Sequence, residues 1–344
     1  MQAETTPEVI QGKITTSRTL SAGREYLLRG AVFVESGATL TIEPGTRIYG
    51  EQATRGTLVI AQGGKINASG TAQAPIVMTS DQPVGKQQRG QWGGLIICGR
   101  APINTGTAFG EGDTGQYGGT NPHDNSGVLR YVRVEYAGIE FSPDNELNGI
   151  AFQGVGDSTV VQYCQVHFNQ DDAFEWFGGT VNAKYLVATG ARDDSFDWTD
   201  GWTGKGQFWV AQQRGDDADN GFECDNRATN NDLLPRSNPT VYNVTLIGDP
   251  KGPESGTGLL LRAGTAGTLR NSIVMGFNRS GLNVDQTPTL TQVTSGALAN
   301  LTFRRVGDGG AGAVRQELPV HRNSKRRLFS MSYFLASTVA LNTA

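Results

Sequence analysis

The sequence has few cysteines, no long apolar segment and no excess of positive charge. Its 344 residues include three cysteines, Cys98, Cys164 and Cys224, which lie far apart and show no CxxC spacing. Each lies in an apolar, strand-like run, so we expect buried free thiols rather than a disulfide or a metal site. No run approaches the ~20 apolar residues that a membrane-spanning helix needs, so the sequence predicts no transmembrane span.

Charge is also scarce, and it is not basic. Charged residues make up 18% of the chain and the formal net charge is -4. Because binding of a phosphate backbone needs a basic face, this balance argues against a nucleic-acid partner. The three histidines show no zinc spacing, and no glycine-rich phosphate loop precedes a helix.

Glycine is abundant, with 47 residues, and a fixed repeat runs through the chain. The motif Asp-Asp-x-Phe-acid-Trp occurs at 171–176 and again 22 residues later at 193–198. Related segments extend the pattern at spacings of 24, 22, 26, 37 and 23 residues, counted between their third members. These third members are all apolar: Ile150, Phe174, Phe196, Phe222, Leu259 and Leu282.

Each repeat carries a second strand-like segment, such as 159–164 or 180–185, after a glycine-rich turn. A repeat of ~22–26 residues with short strands and no helical period indicates a solenoid, and LxxLxLxxN never appears. We therefore predict an all-β, right-handed parallel β-helix. N-terminal coils and a long loop occupy 1–127, regular coils 128–305, and a tail or cap 306–344.

Stacked coils would bring the acidic residues of the repeat together. Parallel strands lie ~4.8 Å apart, so we expect Glu175, Asp197 and Glu223 to form one outward column. Asn148, Asp172, Asp194 and Asn220 form a second column at the turn. Like charges at this distance repel, so the columns need screening water, bound cations, shared protons or a partner.

Three interpretations of these acids remain open. Asp172 and Asp194 suit turns in which the carboxylate accepts a hydrogen bond from an amide two residues on. Clustered carboxylates also suit Ca²⁺, and the run 216–221 resembles a calcium loop without matching the EF-hand pattern. The candidate Ca²⁺ ligands are Asp216, Asp217, Asp219, Glu223 and Asp225. The third interpretation is catalysis by paired carboxyls.

Tryptophan is concentrated beside the acids, and most of these rings fit a stacked core. Trp202 lies in the turn Asp-Gly-Trp-Thr-Gly and is predicted to be exposed as a platform for a sugar ring. The candidate ligand-binding residues are therefore Trp202, Glu175, Asp197 and Glu223.

Several segments resemble secreted bacterial right-handed β-helix proteins that are known as hypothetical proteins or surface lipoproteins. They are GATLTIEPGT, APIVMTS, WGGLIICG and DDAFEWFGG, and the resemblance covers about residues 8–305. It implies export to the cell surface or beyond, although the chain opens without the charged and apolar regions of a signal peptide.

A weaker similarity links Asn-Gln-Asp-Asp at 169–172 to the acidic motif of polygalacturonase-type β-helix hydrolases. It implies that Asp172 is the general acid and that Asp171 or Asp194 activates water. The Asn-x-Asp, Gly-His-Gly and Arg-x-Lys parts of that pattern are missing, as is any recognisable lyase motif.

We therefore expect an extracellular or cell-surface binding module, calcium-stabilised and facing a polysaccharide or cell-surface glycan. A polysaccharide hydrolase or lyase with its site on the acidic face of 171–225 is the alternative. A purely structural stalk or assembling subunit is the third.

Overall fold

The computed structural model describes residues 6–142, 145–250, 255–292, 298–304 and 314–316. Strands dominate these residues, beside one short helix, α1 (Thr287–Gln292), and two 3₁₀ turns, Gln52–Thr54 and Glu111–Asp113. The strands of the first half are β1 (Glu8–Ile14), β2 (Arg18–Leu20), β3 (Glu25–Val34), β4 (Thr39–Ile42), β5 (Arg47–Gly50), β6 (Thr57–Ile60), β7 (Lys65–Ser69), β8 (Ile76–Ser80), β9 (Gly94–Cys98), β10 (Ala108–Gly110), β11 (Gly115–Tyr117), β12 (Gly127–Arg130), β13 (Val132–Glu135), β14 (Glu140–Ser142) and β15 (Asn145–Glu146). Those of the second half are β16 (Ile150–Gln153), β17 (Val160–His167), β18 (Phe174–Phe177), β19 (Asn182–Thr189), β20 (Phe196–Thr199), β21 (Lys205–Gln212), β22 (Phe222–Cys224), β23 (Thr240–Ile247), β24 (Thr257–Leu261), β25 (Thr268–Met275), β26 (Ser280–Val284), β27 (Leu298–Arg304) and β28 (Val314–Gln316).

Twenty-four of these strands belong to one sheet, which winds into coils as a right-handed parallel β-helix, as predicted. Three columns of strands can be followed along the coils. The first is β2–β4–β7–β12, and the second starts with β3 and continues through β5, β8 and β13. The third runs from the end of β3 through β6, β9, β16, β18, β20, β22 and β24 to β26.

From β17 onward the first two columns merge into single bent strands of eight residues. β17 pairs with β12 along its first half and with β13 along its second half. β19, β21, β23 and β25 repeat this arrangement, each in parallel with the coil before it. The coil therefore has one long bent wall and one short wall, and the short wall is the third column.

The core of the regular coils is a stack of aromatic side chains from the third column. Phe174, Trp176, Phe196, Trp198 and Phe222 point inward and are fully buried. Their rings follow the coil spacing, with 5.7 Å between the centroids of Phe174 and Phe196. Phe196 and Phe222 lie 5.2 Å apart, so each coil contributes a ring to one continuous stack. The three cysteines are free and buried, which confirms that prediction.

The segment between β9 and β16 covers the outer face of the third column in the first coils. It carries the small antiparallel pairs β10–β11 and β14–β15. Its apolar side chains Ile103, Tyr117 and Leu147 form a second hydrophobic cluster with Ile96 and Ala151 of the sheet. We call the parts of it on either side of β12 and β13, residues 99–126 and 136–142 with 145–147, the covering segment; β12 and β13 belong to the first two columns. It includes the predicted long loop at 104–126, which thus packs against the sheet.

The predicted tail or cap, 306–344, lies outside the described residues except for β28, which pairs antiparallel with β27. No helix in the part of the chain that the structure describes is long and apolar enough to cross a membrane.

Candidate functional site

Three stacked columns of polar residues lie side by side where the bent wall turns into the third column. Strand register places Glu175 opposite Asp197, and Asp197 opposite Glu223, which confirms the predicted outward column. Equivalent positions of the same three coils supply two further columns at the preceding turn. We call these nine positions the acid grid: Asp171, Asp172, Glu175, Asp193, Asp194, Asp197, Asp219, Asn220 and Glu223.

The middle column of the grid is a ladder of side-chain to backbone hydrogen bonds. Asp172 Oδ1 accepts from the backbone N–H of Asp194 at 2.9 Å, and Asp194 Oδ1 accepts from that of Asn220 at 2.6 Å. Asn220 Oδ1 continues the ladder to the N–H of Thr257 at 3.0 Å. The predicted partner was an amide two residues on. The actual partner belongs to the next coil, because stacking brings the equivalent turn within reach.

The column of the grid that lies on the strands, Glu175, Asp197 and Glu223, has little solvent exposure for a set of carboxyl groups. Glu175 is 8% exposed and Asp197 is half-buried. Burial, followed by the repulsion of neighbouring carboxylates, raises the pKa of both groups well above the ordinary range. The same causes raise the pKa of Asp172 and Asp194. Two unit charges ~5 Å apart repel by roughly 3 kcal/mol at an effective dielectric of ~20, so the fully ionised grid is strained.

Among the described residues, direct ion pairs with the grid involve only its last coil, while Arg192 and Arg262 also act on Asp193 through their charge. Arg262 bonds Glu223 and donates to Asp225 Oδ1 at 2.9 Å. Burial raises the pKa of Glu223 to about 7 while the Arg262 guanidinium opposes that rise. Among the described residues, no lysine or arginine forms an ion pair with Asp172, Glu175 or Asp197.

The grid contains four overlapping groups of three carboxylates whose nearest oxygens all lie within 4.8 Å of one another. Two of them occupy equivalent places one coil apart, and so do the other two. The groups are Asp171, Asp172 and Asp193; Asp193, Asp194 and Asp219; Asp172, Glu175 and Asp197; and Asp194, Asp197 and Glu223. Carboxylate oxygens are hard donors, so their chemistry suits Ca²⁺.

The predicted calcium loop is instead an ion-pair network. Arg89 reaches Asp217 at 2.5 Å and Asp216 at 3.3 Å, and Arg192 and Arg214 complete the network. Asp216 and Asp217, two of the predicted ligands, therefore pair with arginines.

The other three predicted calcium ligands, Asp219, Glu223 and Asp225, have different partners. Glu223 and Asp225 bind Arg262, and Asp219 lies in a carboxylate group with Asp193 and Asp194. Among the described residues, no carboxylate group contains more than one of the five predicted ligands, and their role in binding Ca²⁺ stays a prediction. Arg89 precedes the loop by more than 120 residues, so sequence spacing gave no signal for it.

The prediction that Trp202 is an exposed sugar platform was also wrong. Trp202 is fully buried, and its ring stacks on Trp176 with 4.7 Å between centroids. Its Nε1 donates to the carbonyl of Val181 at 3.1 Å, so the polar edge of the indole is satisfied inside the coil. Gly201, at φ 89°, turns the chain inward at this point, and the large ring fills the core.

The three predicted catalytic residues, Asp171, Asp172 and Asp194, all lie in the grid. Asp172 and Asp194 each use one oxygen for the backbone ladder, which leaves the other oxygen for chemistry. Asp171 is half-buried beside Asp172. Their role in catalysis stays a prediction.

Two acids of the covering segment were missed by the sequence argument. Burial and the nearby Glu146 raise the pKa of Glu111 to about 7, and the charge of Glu111 in turn raises the pKa of Glu175. Both residues lie in an irregular segment that belongs to no repeat. The repeat spacing of the sequence therefore could not predict that they lie near the grid.

Asn148 belongs to the turn column one coil before the grid and is 1% exposed. Its Nδ2 donates to Glu175 Oε2 at 2.5 Å, whereas its Oδ1 has no hydrogen-bond partner. Asp197 Oδ1 is likewise buried without a partner. Buried polar atoms are nearly always paired, so two orphan oxygens at one site call for an explanation.

Comparison with known proteins gives one result. No curated protein matches the chain, and no solved structure matches it. The family model described as "Pectate-lyase like beta helix domain" matches residues 12–324, which is most of the chain and contains the whole acid grid. The chain therefore belongs to the family with a pectate-lyase-like β-helix domain.

Proposed function

We propose that the protein is an exported carbohydrate-binding β-helix whose acid grid contacts the glycan. The observation that carries this proposal is the register of Glu175, Asp197 and Glu223, which repeats one carboxylate at every coil. Carboxylates accept strong hydrogen bonds from hydroxyl groups. A row of acceptors at ~4.8 Å intervals suits a polymer that presents hydroxyls at regular intervals.

The charge of the grid favours a neutral glycan. Eight of its nine positions carry carboxyl groups, and Arg262 forms a direct ion pair only with Glu223 among them. A polyuronate would meet like charge there and would be repelled unless a cation lay between. We therefore infer a preference for neutral polysaccharides when divalent cations are removed.

Two lines support an exported location. Four sequence segments resemble secreted bacterial β-helix proteins, and the family match joins the chain to a pectate-lyase-like domain. Polysaccharides long enough to span the acid grid are found mainly outside the cell. We infer from this an extracellular or cell-surface location.

The test uses the exposed acid of the grid. Asp193→Asn keeps the shape of the side chain and removes one exposed charge. We expect it to weaken binding to a neutral polysaccharide such as xylan or a β-glucan by roughly tenfold, about 1.4 kcal/mol, in calorimetry with chelator present. Asp217→Asn, whose carboxylate pairs with arginines outside the grid, is the matched control and should bind as the parent protein does. Equal affinity in Asp193→Asn, or no binding to either polymer, would contradict the proposal.

Hydrolysis is the second candidate, and the state of Asp172 is the observation that favours it. Burial and neighbouring carboxylates raise the pKa of Asp172, as a general acid requires, and Asp171 and Asp194 lie beside it. Release of reducing ends by the parent protein, and its loss in Asp172→Asn, would support this candidate. Turnover that survives Asp172→Asn would remove it.

A further inference from the structure

We propose that the acid grid binds one end of a glycan chain rather than its interior, because the covering segment closes the grid at its first coil. The inference rests on the proposed glycan binding and adds which part of the polymer is recognised. A groove that is closed at one end accepts a chain terminus, whereas a groove that is open at both ends lets a long polymer pass through. The closed end lies at Glu175, the first strand residue of the grid.

The outward positions before Glu175 are not available to a glycan. Strand register puts three apolar residues before it in the same outward column: Val59, Ile96 and Ala151. All three are fully buried, because the covering segment packs its apolar side chains onto them. A glycan that follows the column toward β16 therefore meets the covering segment directly before Glu175.

Hydrogen bonds and ring contacts hold the covering segment against the coils of the grid. The Tyr117 hydroxyl donates to Asp200 Oδ2 at 3.3 Å, and its ring meets that of Phe177 edge-on with 6.1 Å between centroids. Asn104 Nδ2 donates to the carbonyl of Asn226 at 3.1 Å. These partners lie at or just after the ends of β18, β20 and β22, the three strands of the grid.

The two parts of the covering segment are also joined to each other. The backbone N–H of Gly112, in the first part, donates to Asn145 Oδ1, in the second part, at 2.8 Å. The guanidinium of Arg55, in the turn before β6, lies 5.0 Å from the ring centroid of Phe141 and holds the second part to the coil. The closed end is therefore a packed wall and not a loose loop.

Solvent exposure rises along the grid away from this wall. Ala151 is fully buried, Glu175 is 8% exposed, and Asp197 and Glu223 are half-buried. The next outward residue, Leu260, is half-buried as well. Within the part of the chain that the structure describes, the accessible column thus begins at the wall and extends toward β24.

Acids of the sheet and of the covering segment meet at the closed end. Besides burial and Asp193, the charges of Glu111 and Glu146 raise the pKa of Asp171. Glu111 also lies near Glu175, since its charge adds to the effect of burial on the pKa of Glu175. A terminal sugar has a free hydroxyl where an internal sugar has a glycosidic oxygen, and only the hydroxyl donates a hydrogen bond. Carboxylate acceptors at the closed end therefore favour a chain terminus.

The experiment is calorimetric titration of the full chain at pH 8.5 with chelator present. The probes are hexasaccharides of xylan and of a β-glucan, and soluble linear fractions of both polymers with increasing chain length. We expect one protein molecule per glycan chain at every length, and an affinity per chain that does not change beyond the hexasaccharide. Several protein molecules on each long chain would overturn this inference and leave the proposed function intact. Absence of binding to every probe would overturn the proposed function and this inference with it.

Glu111→Gln tests whether the bound end reaches the covering segment. We expect it to lower the affinity for the hexasaccharide about fivefold, because a carboxylate accepts a stronger hydrogen bond than a neutral amide does. Its melting temperature at pH 8.5 should equal or exceed the parent value, so weaker binding would not reflect unfolding. Asp113→Asn changes an exposed acid of the same 3₁₀ turn and, as the matched control, should bind as the parent protein does. Parent-like affinity in Glu111→Gln would place the bound end away from the wall and contradict the inference.

Discussion

At the scale of single residues, the acid grid separates the structural use of a side chain from its charge. Asp172 and Asp194 hold the next coil by accepting a backbone hydrogen bond, and Asn220 does the same with a neutral amide. The ladder therefore needs an oxygen and not a negative charge. Two buried charges that the ladder does not require indicate a second role, which is the reason to expect a ligand at the grid.

The dependence of stability on pH follows from the raised pKa values of two acids. The pKa of Glu111 and that of Glu223 lie at about 7 in the folded chain, against a reference value of 4.5. A carboxyl group whose folded pKa is raised stabilises the fold below its unfolded pKa, and this contribution disappears as pH rises through the folded pKa. We therefore expect stability to fall between about pH 4.5 and pH 7.

The measurement is the melting temperature at pH 5.5 and at pH 8.5, with chelator present so that no cation takes the place of protons. The value at pH 5.5 should be the higher one. Glu111→Gln removes one of the groups with a raised pKa and should narrow the difference between the two melting temperatures. The acids with lowered pKa, such as Glu51 beside Arg29, stay ionised throughout this range and do not reverse the sign. A melting temperature that rises toward pH 8.5 would contradict the account.

At the scale of elements, the bent strands of the long wall depend on one residue at each bend. Tyr163, Tyr185, Phe208, Asn243 and Asn271 all have left-handed backbone conformations, with φ between 54° and 61°. The rings of Tyr163 and Tyr185 stack with 4.4 Å between centroids, and Phe208 lies 5.2 Å from Tyr185. Stacked rings offset part of the cost of this conformation in the earlier coils, and asparagine, which tolerates it, replaces them later.

Substitution of Phe208 tests this explanation of the bend. Phe208→Asn should cost less than about 1 kcal/mol, because the side chain is 40% exposed and asparagine occupies the same place in the next coil. Phe208→Val should cost roughly 1–3 kcal/mol, because a β-branched residue is strained at positive φ. Chemical denaturation measures the loss of unfolding free energy in each of the two variants. Equal losses of unfolding free energy in the two variants would show that the backbone conformation is not the determining factor.

The repeat predicted the β-helix and the column of Glu175, Asp197 and Glu223, because strand stacking turns equal spacing into contact. Prediction from the repeat was wrong where the contacts come from residues outside the repeat. Arg89 neutralises the presumed calcium loop from a distant segment, and the covering segment brings Glu111 toward Glu175. The prediction of an exposed Trp202 was wrong for another reason. Its turn is rich in polar residues and glycine, but the indole ring packs inside the coil against Trp176.

At the scale of the whole molecule, the β-helix couples residues that are one coil apart. The stability of a solenoid is approximately a sum of terms from each repeat and from the interfaces between neighbouring repeats. The acid grid occupies three consecutive coils. A ligand that contacts the grid would therefore bind several coils at once, and a cation there would tie at least two of them together.

The central claim is that Glu175 and Asp197, 22 residues apart, are direct neighbours whose charges repel, and a double-mutant cycle tests it most directly. Glu175→Gln, Asp197→Asn and the double variant are compared by chemical denaturation at pH 8.5 with chelator present. We predict that each single substitution relieves the same repulsion, so the double variant gains at least ~1 kcal/mol less than the sum of the two. Additivity within about 0.5 kcal/mol would mean that the two side chains are not in contact, and it would contradict the account.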